Sequence, residues 1–288
     1  MHITSVSLIV FTVLMQTAAG LVLAAELART DDAAEQSRLA LCLPVALGLG
    51  IFSLMFASTH LASPLAAVYV LNNVFSSALS FEIFCCSLFI GLMAVTLFLR
   101  LKGLELASLF GKLSAAAGLV AVYSIARVYM QETMPTLDTG GTLLSFLGTG
   151  LLVGGVLGML LYSLKVKNTP AEENSFSPAK VFITVALLGF GLEFIALPLN
   201  MMARSFEGAY GTTGLQMMLS TATAACLPYS NALIVAGLLA CLWGWAGSLK
   251  KSYAAPLVRG SMVGFVCVLA GSLAVRYFFY ESYIRLGI

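Results

Sequence analysis

A histidine and a carboxylate, separated by a polar stretch, are the residues of this sequence best suited to chemistry. His60 is followed by Ser63 and Pro64, and Asn72 leads through a serine-rich stretch to Glu82. An imidazole can accept a hydrogen bond, and a carboxylate in an apolar setting can take up and release a proton. An ionisable side chain in hydrocarbon costs about 2.5–3.5 kcal/mol, so it usually has a partner or a task. We interpret His60 and Glu82 as a candidate site, although Pro64 could simply end a helix.

Two further groups of polar residues are expected near the same site. Arg127 precedes Tyr129, and Arg276 precedes Tyr280. The arginines could bind a carboxylate or a partner subunit, or they could extend to the membrane interface, where the tyrosines would form an aromatic belt. Glu193 is the acid placed most deeply in an apolar segment, and both a functional role and structural pairing remain open for it.

The composition identifies a membrane protein. Of the 288 residues, 60% are hydrophobic and 10% are charged, whereas a soluble domain carries about 25% charged residues. This excludes a soluble enzyme and a disordered chain. The net charge of +2 comes from scattered Lys and Arg, so the sequence offers no basic face for nucleic acid.

Resident redox cofactors are not indicated. The six cysteines contain no C-x-x-C pair, which argues against a zinc or iron–sulfur site, and we predict no metal ligands. His60 is the one histidine expected within the membrane, so a haem with two axial histidines is not expected. No nucleotide-binding fingerprint is present. If this protein handles electrons, it must bind a diffusible carrier and pass electrons to a cofactor on another polypeptide.

Eight segments are long and apolar enough to cross a bilayer, which takes about 20 residues. We predict an all-α integral membrane fold in a single domain, residues 1–288. The first segment lacks a basic n-region and is too long for a signal peptide, so we expect it to remain as a helix. The predicted helices cover residues 5–27, 39–59, 76–99, 104–128, 142–164, 179–200, 229–249 and 257–279.

The distribution of positive charge predicts the orientation. Of the 15 Lys and Arg, 11 lie in or beside the loops that follow the first, third, fifth and seventh helices. Because positive residues collect on the cytoplasmic side, both termini are predicted to face outward. His60, Glu82, Arg127 and Arg276 then lie towards the outer face.

The two halves of the sequence are weakly related. Residues 127–132 and 276–281 both begin with Arg, continue with an aromatic residue and end with Glu. Four helices in each half, in the same orientation, would suit two four-helix bundles that arose by duplication.

Several sequence blocks resemble a known family. H-L-A-S-P at residues 60–64, L-N-N-V at 71–74 and S-A-L-S-F-E-I at 77–83 are similar to motifs of the membrane anchor subunits of anaerobic dimethyl sulfoxide reductase-type molybdoenzymes. Weaker matches are residues 11–20, Arg127-Val128-Tyr129 with Pro135-Thr136, and Arg276 with Phe279-Tyr280. The sequence departs from the family pattern at Ala62, Leu137 and Ser272.

The resemblance implies an anchor that binds and oxidises menaquinol near the outer face of the cytoplasmic (inner) membrane. His60 would accept a hydrogen bond from one hydroxyl, and Glu82 would take the proton. Electrons would pass to an iron–sulfur subunit with four clusters and then to a molybdopterin catalytic subunit, both docked at the outer face. The anchor itself would hold no haem, iron–sulfur cluster or molybdenum. The quinol-binding residues implied are His60, Ser63, Pro64, Asn72, Glu82, Arg127, Tyr129 and Arg276.

Two other classes of function remain open. A secondary transporter would also contain internal repeats and embedded carboxylates, and Glu193 favours that interpretation. The protein could instead be a purely structural anchor that lacks a quinol site.

Overall fold

The computed structural model describes residues 2–58, 73–74, 76–166, 177–205, 227–251 and 254–281. In these ranges the regular secondary structure is α-helical throughout. The helices are α1 (His2–Leu27), α2 (Ala33–Leu39), α3 (Cys42–Ser58), α4 (Ala78–Leu101), α5 (Ala107–Tyr129), α6 (Gly140–Val166), α7 (Ser177–Arg204), α8 (Leu227–Lys251) and α9 (Ala255–Glu281).

The eight predicted spans are confirmed as helices long and apolar enough to cross a membrane. The one notable difference lies before the second span, where the short helix α2 precedes α3. The Asp32 side chain caps α2 by accepting a 3.0 Å hydrogen bond from the Ala34 backbone N–H, which satisfies one of the free donors at a helix start. The hydrophobic stretch beyond it predicted α3 but did not reveal this polar turn of helix.

Helices α1 and α6 form the centre of the bundle. About three quarters of their spanning segments, 78% and 72%, is buried within the protein, compared with a third to a half for the other spans. Close approach depends on small residues: a Cβ atom at Gly20 of α1 would collide with the Gly150 backbone of α6, and one at Gly154 would collide with the α1 backbone. Small residues at a helix crossing allow this contact in membranes, where packing drives association.

The remaining helices pack around this central pair. Helices α3 and α5 pack against α1, and α4 packs against α5. In the second half, α7 and α9 pack against α6, and α8 packs mainly against α9. The first four and the last four spanning helices therefore form two groups, and the α1–α6 contact joins them through an extensive interface.

Successive spanning helices run in opposite directions, which collects their ends into two sets. The tyrosine end, named for Tyr129 and Tyr280, contains the starts of α1, α4, α6 and α8 and the ends of α3, α5, α7 and α9. The arginine end, named for Arg29 and Arg100, contains the opposite termini. The predicted site residues that the structure describes all belong to the tyrosine end.

Candidate functional site

A pair of tyrosines joins the two halves at the tyrosine end. The hydroxyls of Tyr129, at the end of α5, and Tyr280, near the end of α9, lie 3.0 Å apart and form a hydrogen bond. Their rings meet edge to face, and the Phe279 ring packs against both. Such aromatic pairs add about 0.5–1.5 kcal/mol beyond the area that they bury. The two tyrosines, both partly exposed, therefore link the ends of α5 and α9.

Glu82 lies in the second turn of α4, at the same end of the bundle as this pair. The Ser77 hydroxyl starts the helix by accepting a 3.4 Å hydrogen bond from the Ser80 N–H, which fixes the side of α4 that carries Glu82. Glu82 is 5% exposed, and its helix begins at the end of the bundle where Tyr129 and Tyr280 meet. Among the described residues, no side chain or backbone group forms a hydrogen bond to its carboxyl.

Taking a carboxylate largely out of water costs free energy, because its charged form loses hydration. This is a position suited to a carboxyl that exchanges a proton with a bound ligand.

Arg127 lies near the same end but in a different setting. Its side chain is exposed at the end of α5, where it lines a cavity of about 200 Å³ together with Ser76, Ser77 and Phe81. An exposed arginine can bind an anionic group of a ligand or of a docked partner, or can extend to the interface. The structure leaves both of these roles available to Arg127.

Arg276 is instead enclosed by the bundle, with 1% of its surface exposed. Its Nη2 donates hydrogen bonds to Gln16 Oε1 at 3.0 Å and to Thr149 Oγ1 at 2.9 Å. The guanidinium carbon lies 4.0 Å from the centre of the Phe146 ring, which is a cation–π distance. The interpretation that Arg276 extends to the membrane interface is therefore wrong.

The carboxylate of Glu193 balances this buried cation through a shared hydroxyl. Thr149 donates to Glu193 Oε1, and Ser145 donates to Oε2 at 2.9 Å. Thr149 thus links Glu193 and Arg276, which brings opposite charges together inside the bundle. A functional role and structural pairing were both left open for Glu193, and the structure shows the pairing.

The Glu193–Arg276 group lines a second cavity, of about 270 Å³, between α7, α8 and α9. Ser272 and Asn200 add polar atoms to its wall, and the rest is largely apolar. The Nε and Nη1 atoms of Arg276 and the Ser272 hydroxyl have no hydrogen-bond partner among the described residues. This cavity and the Arg127 cavity have no lining residue in common.

The predicted site residues divide into three groups. Glu82, Tyr129 and Arg276 lie at one end of the bundle, where Tyr129 and Arg276 both pack against Phe146, whereas Arg127 lies in the separate, exposed cavity. The remaining predicted residues are outside the described ranges: His60, Ser63, Pro64 and Asn72.

Sequence reasoning missed Gln16 and Thr149 as the partners of Arg276. Both side chains are fully buried, with 0% and 2% of their surfaces exposed. The available signal was a polar residue within an otherwise apolar span, which usually hydrogen-bonds across helices in a membrane.

Comparison with known proteins gives a consistent result. The sequence profile of the family described as "DMSO reductase anchor subunit (DmsC)" matches residues 1–281. The sequence is 31% identical to DmsC of the anaerobic dimethyl sulfoxide reductase of Escherichia coli (strain K12), over 97% of this protein and 95% of the relative. It is 27% identical to YnfH, described as an anaerobic dimethyl sulfoxide reductase chain of the same organism, with the same coverage. No solved structure matches the sequence significantly. A profile that covers nearly the whole length, with a relative above 30% identity, shows that this protein belongs to the DMSO reductase anchor subunit family.

Proposed function

We propose that this protein anchors a dimethyl sulfoxide reductase-type complex in the membrane and oxidises menaquinol at the tyrosine end. The observation that carries the proposal is Glu82, a buried carboxyl without a hydrogen-bond partner in the described part of the molecule, at the same end of the bundle as the Tyr129–Tyr280 pair. An anchor of this family associates with the catalytic and iron–sulfur subunits of a reductase complex.

Quinol oxidation makes two demands on such a site. Each hydroxyl needs a hydrogen-bond partner, and each proton released with the electrons needs an acceptor. Glu82 takes one proton and passes it on, while His60 accepts the hydrogen bond from the other hydroxyl.

The other proposed quinol-binding residues come from two parts of the sequence. Ser63, Pro64 and Asn72 precede α4 in sequence, and we assign them to the quinol site together with His60. Arg127, with Ser76 and Ser77 beside it, binds a negatively charged group, either at the quinol site or on the docked subunit. Arg276 holds Phe146 and Phe279 in place by cation–π contact at 4.0 and 5.3 Å, which keeps the Tyr129 ring in position.

The tyrosine end faces outward in this proposal, and both termini lie outside the cytoplasmic membrane. Support comes from the 11 Lys and Arg grouped in or beside the opposite loops. The iron–sulfur subunit, with four clusters, and the molybdopterin subunit dock on the outer face. Electrons and protons from menaquinol then leave on the same side.

The two alternatives are weaker. Membership of an anchor family argues against a secondary transporter, and the pairing of Glu193 with Ser145 and Thr149 gives that carboxylate a structural role. A purely structural anchor would have no use for an unpaired carboxyl at Glu82, because glutamine or an apolar residue would cost less there.

The test is a comparison of two electron donors to the purified complex. We expect Glu82→Gln and His60→Ala to lower menaquinol-dependent sulfoxide reduction at least about tenfold, because proton acceptors typically contribute about 10²–10⁴-fold. Activity with a reduced viologen dye, which donates directly to the soluble subunits, should stay at the wild-type level.

Glu132→Gln is the matched control, since Glu132 is an exposed carboxylate at the same end, and we expect both activities to be retained. Normal menaquinol-dependent rates in Glu82→Gln and His60→Ala would show that the protein is a structural anchor only.

A further inference from the structure

The arginine end contains a cavity that the proposed function does not use. It has a volume of about 450 Å³ and lies where the end of α1, the helix α2 and the turn between α4 and α5 meet. Arg29 and Arg100 line it, together with Gln36, Ser37 and several leucines. No carboxylate is among its described lining residues.

The two arginines are not fully compensated by their partners. Arg100 forms an ion pair with Glu26, while its Nε is buried without a hydrogen-bond partner in the described residues. Arg29 has a neutral partner, because its Nη2 donates to Gln36 Oε1 at 3.3 Å. Burial and the neighbouring charge of Arg100 lower the pKa of the Arg29 guanidinium, an effect that Glu26 only partly opposes. Two cations thus share a single carboxylate, which favours an added anion.

The depth of the cavity matches the level of lipid headgroups. The spanning segment of α1 ends at Leu27, and that of α4 ends at Leu101. Arg29 lies two residues beyond the first of these, and Arg100 lies in the last turn of α4. Gly103, with a φ of 66°, takes the left-handed conformation that ends α4 and turns the backbone towards α5. This turn forms one rim of the cavity.

The other walls suit acyl chains. Leu43 and Leu97 line the cavity from α3 and α4, and Leu101 and Leu104 at its edge are 77% and 48% exposed on the bundle surface. A basic opening at the interface that continues into an apolar surface fits an amphiphile with a negative head. Free phosphate would match the arginines but not the leucines.

We propose that this cavity binds the phosphate group of an anionic phospholipid, with Arg29 and Arg100 contacting the phosphate oxygens and the acyl chains lying along the leucines. The bound lipid neutralises the excess positive charge and links α1, α2 and α4 at their junction. This site is independent of the quinol site, which belongs to the opposite end of the bundle.

The test measures lipid binding to the purified, delipidated complex by native mass spectrometry. Phosphatidylglycerol is titrated into wild type and Arg29→Gln, and phosphatidylcholine with the same acyl chains serves as the uncharged comparison. We expect Arg29→Gln to weaken phosphatidylglycerol binding by about fivefold or more, the effect of losing roughly one basic contact. Arg29→Lys should retain most of the affinity because it keeps the charge.

The control variant is Arg259→Gln, which removes an exposed cation from α9 at the same end and should bind like wild type. Equal affinity of wild type and Arg29→Gln for phosphatidylglycerol, or equal binding of the two lipids by wild type, would overturn the proposal. Displacement of the bound lipid by millimolar inorganic phosphate would identify a free-anion site instead. The mass of the intact complex in the same spectra, expected to match wild type for Arg29→Gln, reports whether the complex has assembled.

Discussion

At the scale of single residues, the most informative feature is the buried group formed by Glu193, Thr149 and Arg276. The Thr149 hydroxyl accepts a hydrogen bond from Arg276, and as a donor it is shared between Glu193 and the Ser145 carbonyl. Breaking a buried network leaves its charged members unpaired, and the desolvation cost is then about 1–3 kcal/mol or more. Thr149 is therefore expected to matter more than its neutral side chain indicates.

We expect Thr149→Val, which preserves side-chain shape, to lower the free energy of unfolding by about 1–3 kcal/mol. The matched control is Thr184→Val on α7, where the hydroxyl is exposed and donates to the Lys180 carbonyl at 2.8 Å; there the change should stay within about 0.5 kcal/mol. Unfolding of the purified anchor by titration with a denaturing detergent measures the free energy of unfolding of both variants. Equal losses in the two variants would contradict a network centred on Thr149.

Sequence reasoning located only part of this residue-scale arrangement. The position of Glu82 after a serine-rich helix start, and the Arg–aromatic ends of α5 and α9, were visible as patterns. The related segments behave differently, however: Arg127 is exposed, whereas Arg276 is buried. That difference depends on Gln16 and Thr149, which are distant in sequence and meet Arg276 only after α1, α6 and α9 pack.

At the scale of elements, the hydrophobic length of each segment was sufficient to predict the eight spans, because backbone groups in lipid must be satisfied within the helix. The length of a segment does not predict which helices lie at the centre of the bundle. That arrangement depends on glycines, because Gly20 and Gly150 let the backbones of α1 and α6 touch. The sequence contains 26 glycines, too many to predict which of them lie at a helix contact.

This contact gives a prediction for the α1–α6 pair. Gly20→Ala places a methyl group against the Gly150 carbonyl, so the helices must separate and lose packing; overpacking of this kind costs about 1–3 kcal/mol. We expect a lower thermal unfolding midpoint for the assembled complex. Gly48→Ala on α3 is the control, since no atom lies within 4 Å of the added methyl group. An unchanged midpoint for Gly20→Ala would mean that α1 and α6 are not closely packed.

At the scale of the whole molecule, the two ends of the bundle differ in chemistry. The tyrosine end contains a buried carboxyl, the tyrosine pair and the enclosed Arg276, whereas the arginine end contains the cavity with Arg29 and Arg100. In the orientation that we propose from the positive-inside rule, the arginine end faces the cytoplasm. If quinol is oxidised at the tyrosine end, the protons, the electrons and the reductase subunits are all on the outer side.

This arrangement predicts an electroneutral reaction. Menaquinol releases two protons and two electrons, sulfoxide reduction to sulfide and water consumes two of each, and none of these charges crosses the membrane when both sites face the same side. We expect sealed proteoliposomes that turn over menaquinol and dimethyl sulfoxide to give no response from a potential-sensitive dye. A potassium gradient with valinomycin is the positive control for the dye. A quinol site at the arginine end would release protons inside while electrons moved outward, so a membrane potential that collapses with an ionophore would place the oxidation site at the opposite end from Glu82.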